Sequence, residues 1–179
     1  MNAHYRKGKI YCLMAPSGAG KTTLLLAMAG IYPPEKGSVS GCRHPSVLLQ
    51  EDRLLPGASV LQNAAAAAGE EKARNILSDL GLSDVVLQKT EELSGGMKRR
   101  VCLARALAYG GDCLLLDEPF TGLDGSFQLP PPRVGVIAAA GIVSGRHQVK
   151  AQLLQLVRKS AEFDIPVAVD AGIGGMPAQ

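Results

Sequence analysis

Ile10-Tyr11-Cys12-Leu13-Met14-Ala15-Pro16-Ser17-Gly18-Ala19-Gly20-Lys21-Thr22-Thr23 is the stretch whose reading decides the fold. The apolar run Ile10 to Met14 reads as a strand. It enters a glycine-bearing loop, and the loop runs into Leu24 to Ala29, which reads as a helix. Strand, glycine loop and helix in that order make a phosphate site. Gly18 and Gly20 let backbone N–H groups turn inward, Lys21 is long enough to reach the β- and γ-phosphates, and the Thr22 hydroxyl can ligate Mg²⁺. The helix N-terminus adds its own positive end. One position departs from G-x-x-x-x-G-K-[ST], because Ala15 stands where the first glycine belongs. Alanine there costs roughly 1 kcal/mol or somewhat more if the backbone needs φ > 0. It costs little if Ala15 ends the strand, and that is the expectation.

Composition limits what surrounds this loop. A chain of 179 residues, 46% hydrophobic, is long enough for one domain with a sizeable core. A formal net charge of +3, 4% aromatic residues and no tryptophan argue against a nucleic-acid partner, which needs basic surface and stacking platforms. Cys12, Cys42, Cys102 and Cys113 form no C-x-x-C pair and lie mostly in apolar runs, so they are expected as buried free thiols in a reducing compartment, joined neither by disulfides nor by a metal. No apolar run reaches the roughly 18 residues needed to span a bilayer, and Met1 to Lys9 is polar with no signal-like core behind it. A cytoplasmic location is expected.

After the first helix, Pro34 to Gly41 reads as a turn, a short strand and another turn. Val47-Leu48-Leu49-Gln50 is a brief strand ending in an amide. Beside a phosphate site Gln50 could ligate Mg²⁺ or orient water; alone it would be an ordinary strand end. Ser59 to Leu93 reads as a small helical block, about residues 51–95 in all. Ser59 caps Val60 to Ala68, Glu70 to Leu80 carries Ala73, Ile76, Leu77 and Leu80 on one face, and Ser83 or Asp84 caps a last short helix with Val85, Val86 and Leu87.

Leu93-Ser94-Gly95-Gly96-Met97-Lys98-Arg99-Arg100 opens the next helix, with Met97, Val101, Ala104 and Leu107 or Ala108 at helical spacing. A serine and two glycines at a helix start expose N–H donors at a positive dipole end, which suits a phosphate. A short turn leads into Cys113-Leu114-Leu115-Leu116-Asp117-Glu118-Pro119. Its uninterrupted apolar run predicts a parallel strand buried on both faces. Asp117 at its end can hold Mg²⁺ through water, and Glu118 can polarise the water that attacks a γ-phosphate.

Together these residues resemble the ATP-binding subunit of an ABC transporter. Ser17 to Thr23 resembles the Walker A loop, Gln50 the Q-loop, Leu93 to Met97 the signature, Cys113 to Pro119 the Walker B strand with its catalytic glutamate, and Gly122-Leu123-Asp124 the D-loop. They follow the family's order over about two-thirds of the chain, from residue 9 to 124. The resemblance implies an α/β fold, a P-loop core with a mainly parallel sheet and a small helical subdomain. ATP would be bound by Ser17, Gly18, Ala19, Gly20, Lys21, Thr22 and Thr23 of one protomer. Ser94, Gly95, Gly96 and Asp124 would face it across a head-to-tail homodimer. Thr22, Gln50 and Asp117 would hold Mg²⁺, with Gln50 and Glu118 catalytic. Hydrolysis would energise a separate membrane permease, placing the subunit on the inner face of the cell membrane. Leu49 to Pro56 is most similar to importers of the nitrate, sulfonate and taurine group, which are served by an extracytoplasmic solute-binding protein. A soluble ABC ATPase of DNA repair or translation is disfavoured, because the interval from Gln50 to Leu93 leaves no room for a long coiled coil.

The ends of the chain depart from the pattern. Only Tyr5 and Tyr11 precede the loop as candidates to stack on adenine, so reduced ATP affinity is expected. After Asp124 the match stops. Residues 125–145 read as a Pro/Ala/Gly-rich connection, and residues 146–179 as a divergent helix, from about Val149 to Phe163, and a strand from Ile165 to Val169. If that strand fills the place before the family's γ-phosphate histidine, Asp170 stands at the histidine's position. His147 is the other candidate. The break near residue 125 reads as a truncated, fused or frame-altered product, and the alternative function is a degenerate nucleotide-binding subunit with little ATPase activity.

Overall fold

The computed structural model describes Tyr5 and residues 10–119, 121–122, 135–141 and 167–170. Among these, five strands form one wholly parallel sheet: β1 (Ile10–Ala15), β2 (Pro45–Leu48), β3 (Cys113–Asp117), β4 (Gly135–Gly141) and β5 (Val167–Asp170), in the order β2-β3-β4-β1-β5. The helices are α1 (Lys21–Met28), α2 (Val60–Ala65), α3 (Glu70–Asp79) and α4 (Gly95–Tyr109). The expected α/β class and parallel sheet are both present.

β3 explains the layering. Its interior position and continuous apolar sequence bury Leu114, Leu115 and Leu116 to 3% exposure or less. Because successive strand residues point to opposite faces, Leu114 and Leu116 join one core while Leu115 joins another. On Leu115's side α1 contributes Leu25 and Met28, with Leu13 of β1. On the other side α4 contributes Val101, Cys102, Leu103, Ala104 and Ala106, and the helical block packs against it through Val60, Leu61, Ala73, Leu77 and Leu80. The helical block therefore has no core apart from α4 and the sheet.

Local chemistry sets the helix ends in that block. Ser59 accepts a hydrogen bond from the Gln62 N–H at 3.1 Å, and Gln62 Oε1 accepts from the Ser59 N–H at 2.8 Å, a reciprocal cap on α2. Asn63, fully buried, accepts from the Leu55 N–H at 2.7 Å and donates to the carbonyls of Leu55 and Ser59. A buried amide so satisfied holds the 55–59 turn against the helix that follows.

Several expectations are corrected. Residues 34–41 contain no strand, and Val39 is exposed. α2 stops at Ala65 instead of Ala68. The expected last helix is a single 3₁₀ turn, Ser83–Val85, whose N-cap is Leu82 with no side-chain cap bond, so neither Ser83 nor Asp84 caps it. The stretch 135–141, expected within a connection, is the central strand of the sheet. Both of its edges are paired, to β1 on one side and to β3 on the other. The C-terminal strand, expected at Ile165 to Val169, is β5 at Val167–Asp170, and it lies on the far side of β1 from β3. Asp170 is in register with Leu13, so it does not neighbour the end of β3. His147, Asp124, the Pro-rich run and the expected 149–163 helix lie outside the described residues.

The cysteine expectation is also corrected. Cys42 and Cys113 are joined by a disulfide with Cα atoms 6.1 Å apart, because Pro45 pairs with Cys113 and brings the loop before β2 to the head of β3. Asp112 reinforces the same junction by accepting from the N–H groups of Arg43 and His44, and these bonds hold its carboxyl below the usual range. Cys102 is the buried free thiol that was expected; burial pushes it up to about 11, so it stays protonated at neutral pH. The side chain of Cys12 lies outside the description. Closing a 71-residue separation stabilises the fold by about 4 kcal/mol in the loop-entropy model. Cys42→Ser is expected to lower the urea midpoint accordingly and to match the effect of dithiothreitol on the parent chain. Equal midpoints for oxidised, reduced and substituted protein would remove the crosslink.

Candidate functional site

The site forms where β1, β2 and β3 end at one edge of the sheet. Ala15 is the last residue of β1, 4% exposed, and does not have positive φ. The alanine at the first glycine position thus lies in the strand, where it costs little. Gly18 and Gly20 both take left-handed backbone, φ 80 and 85, and Gly20 is the N-cap of α1. No side chain caps this helix, so the amides of its first turn are left to an anion. Ser17 to Gly20 are exposed, as are Thr22 and Thr23, whereas Lys21 is buried to 8%. Its Nζ donates to the carbonyls of Ala15 and Pro16, each at 2.9 Å, and lies folded over its own loop.

Thr22 and Asp117, 95 residues apart in sequence, meet in the structure. The Thr22 hydroxyl donates to Asp117 Oδ2 at 2.7 Å, and Asp117 is 1% exposed at the end of β3. The Gln50 amide donates to Glu118 Oε2 at 3.4 Å. Thr121 Oγ1 donates to the same carboxylate oxygen at 3.3 Å, a contact that the sequence reading missed. Glu118 has φ 46, positive in a non-glycine residue, and is unique in that respect among the described residues. Such backbone persists only where its surroundings over-determine it, and it marks functional sites. Four of the expected residues, Thr22, Gln50, Asp117 and Glu118, are thereby brought together.

Ser94, Gly95 and Gly96 form a separate tip. Ser94 caps α4 by accepting from the Met97 N–H at 3.3 Å, and Ser94 and Gly95 are exposed. Gly96 approaches the loop after β3 so closely that a Cβ there would lie 2.9 Å from the Gly122 carbonyl oxygen. The tip is therefore in contact with the segment that carries Glu118. Tyr5 and Tyr11 stack edge to face with ring centroids 4.9 Å apart.

The missed residue of most consequence is Arg99. It is 2% exposed and reaches the backbone at the ends of both β2 and β3. A charged residue in the same helical phase as Cys102, Leu103 and Ala106, all buried, was the available signal.

A lysine-bearing phosphate loop, a buried carboxylate at the end of the adjoining strand system and a following glutamate define a P-loop nucleotide-site fold of the ABC type. The family model described as ABC transporter matches residues 1–121, and the chain belongs to that family. It is 44% identical over 123 residues to the aliphatic sulfonates import ATP-binding protein SsuB 3 of Paraburkholderia xenovorans, a match that covers 66% of this chain and 50% of the relative. It is 42% identical over 131 residues to the aliphatic sulfonates import ATP-binding protein SsuB 2 of Burkholderia cenocepacia, covering 66% and 48%. The chain spans about half the length of the curated relatives it matches. Among solved structures it shares its fold with an inward-facing metal-chelate type ABC transporter, TM-score 0.66 at 23% identity, covering 78% of this chain and 65% of the other. It does so also with cbiO1 from Clostridium perfringens, TM-score 0.64 at 23% identity, covering 79% and 70%.

The two signature glycines make different demands on space. Gly96→Ala forces backbone to shift around Gly122 and is expected to cost about 1–3 kcal/mol. At Gly95 an added Cβ meets nothing within 4 Å, so Gly95→Ala is expected to be neutral in the same urea titration. Equal costs at the two positions would mean that α4 does not press on the loop after β3.

Proposed function

We propose that the chain is an ATP-binding and ATP-hydrolysing subunit that energises an ABC importer through a separate membrane permease, fed by an extracytoplasmic solute-binding protein. What carries the reading is the meeting of Thr22 with Asp117 at 2.7 Å beside the Gln50–Glu118 contact. It is supported by family membership and by the ATP-binding relatives above. No helix among the described residues is long and apolar enough to cross a membrane. A role beside a permease on the inner face of the membrane is consistent with that.

In this reading Lys21 leaves the carbonyls of Ala15 and Pro16 for the β- and γ-phosphates, while the uncapped amides of α1 and the loop from Ser17 to Thr23 hold the remaining oxygens. The residues present fit Mg²⁺: a threonine hydroxyl, a buried aspartate and a glutamine amide are hard oxygen donors. Thr22, Asp117 and Gln50 would hold the ion, which supplies charge neutralisation on the phosphate oxygens when bound. Glu118 orients and polarises the attacking water, and Gln50 and Thr121 fix its carboxylate. Ser94 and Gly95, exposed at a helix start, would together with Gly96 and Asp124 face the nucleotide of a second protomer in a head-to-tail dimer.

The test separates binding from turnover. Lys21→Ala is expected to abolish binding of a fluorescent ATP analogue. Glu118→Gln is expected to keep that binding and to lower steady-state phosphate release by about 10²–10⁴-fold, the usual worth of a general base. Phosphate release unaffected by Glu118→Gln would leave a nucleotide-binding subunit without catalysis.

A further inference from the structure

Arg99 is a cation buried to 2% exposure, the fifth residue of α4 and about one turn past the tip at its start. Its Nη1 donates to the Leu49 carbonyl, to the Gln50 carbonyl at 3.1 Å and to Asp52 Oδ1 at 3.3 Å. Its Nη2 donates to the carbonyls of Asp117 at 2.6 Å and Glu118 at 2.9 Å. Nε is buried and has no partner among the described residues. One planar guanidinium therefore grips the chain just after β2, where Gln50 sits, and the end of β3, where Asp117 and Glu118 sit. Among the described residues its charge is paired with the carboxylate of Asp52.

A buried charge with an unsatisfied Nε is costly to keep for stability alone. The geometry gives it a further use. Glu118 is held at φ 46, a conformation that a residue with a side chain leaves unless something retains it. The carbonyls on both sides of the Glu118 N–Cα–C unit, those of Asp117 and Glu118 itself, are the two that Nη2 binds. Nη1 meanwhile fixes the backbone of Gln50, whose amide donates to the Glu118 carboxylate. Lysine, a point charge without the fork, cannot bridge both pairs of carbonyls at once.

We propose that Arg99 is the positioning residue of the hydrolytic site: it retains Glu118 in its left-handed backbone and sets Gln50 against it, tying both to the signature helix. The proposal rests on the ATPase reading given above. Through α4, the position of the tip that would face a second protomer and the position of the glutamate become one variable.

The experiment compares the parent chain, Arg99→Met and Arg99→Lys, each with and without Glu118→Gln, for binding of a fluorescent ATP analogue and for phosphate release, with a crystal structure of Arg99→Lys. Both substitutions at 99 are expected to leave analogue affinity within about 3-fold while lowering kcat by about 10-fold or more, and to change the residual turnover of Glu118→Gln by less than about 2-fold, since the effect passes through Glu118. In the crystal structure φ of Glu118 is expected to turn negative. Equal losses of kcat in both backgrounds, or an unchanged kcat, would overturn the proposal. Should the parent chain fail to bind the analogue, the ATPase reading falls, and the Glu118 backbone in Arg99→Lys still decides: a retained positive φ means that Arg99 does not hold it. Arg99→Lys keeps charge and bulk and serves if Arg99→Met does not fold.

Discussion

The 2.7 Å hydrogen bond from the Thr22 hydroxyl to Asp117 closes the longest functional span in the described structure. It depends on a constraint of topology. β1 and β3 run parallel, with β4 between them, so both strands end at the same edge of the sheet. The loop after one and the carboxylate after the other are delivered to one place, which is where open parallel sheets bind their ligands. α1 leaves the loop at that edge and carries Thr22 across to Asp117.

Packing converts this arrangement into a fixed one. β3 is covered on both faces, by Leu25 and Met28 of α1 through Leu115 and by α4 through Leu114 and Leu116. α4 has two further attachments: the helical block on its outer side and, through Arg99, the ends of β2 and β3. The helix that begins at the Ser94–Gly96 tip is thus the shared wall between the helical block and the site. Gly96, pressed against the Gly122 carbonyl, adds a second contact between them. A displacement of the tip has two direct routes to Glu118, and neither passes through solvent.

The local motifs were legible because each carries its chemistry in contiguous residues. The phosphate loop needs only Gly18 to Thr22 and the strand and helix beside them, and Ala15 was correctly expected at a strand end. The buried strand at Cys113 to Asp117, the Ser59 cap and the Ala73–Leu77 face of α3 follow from short-range pattern in the same way. Ser83 and Asp84 misled because a good capping residue still needs a helix long enough to repay ordering it, and one 3₁₀ turn satisfies that segment instead.

The sequence by itself determined the identity of the phosphate loop, the parallel strand bearing Asp117 and Glu118, the signature tip and, from these, the family. Each is specified by residues near one another in the chain. Only the tertiary structure decided that Cys42 meets Cys113, that an alanine-rich segment forms the middle strand and that Arg99 is buried on the ends of two strands. These depend on register and strand order, which bring together residues dozens of positions apart. Periodicity reports which face a residue is on and carries no record of what the opposite surface will be.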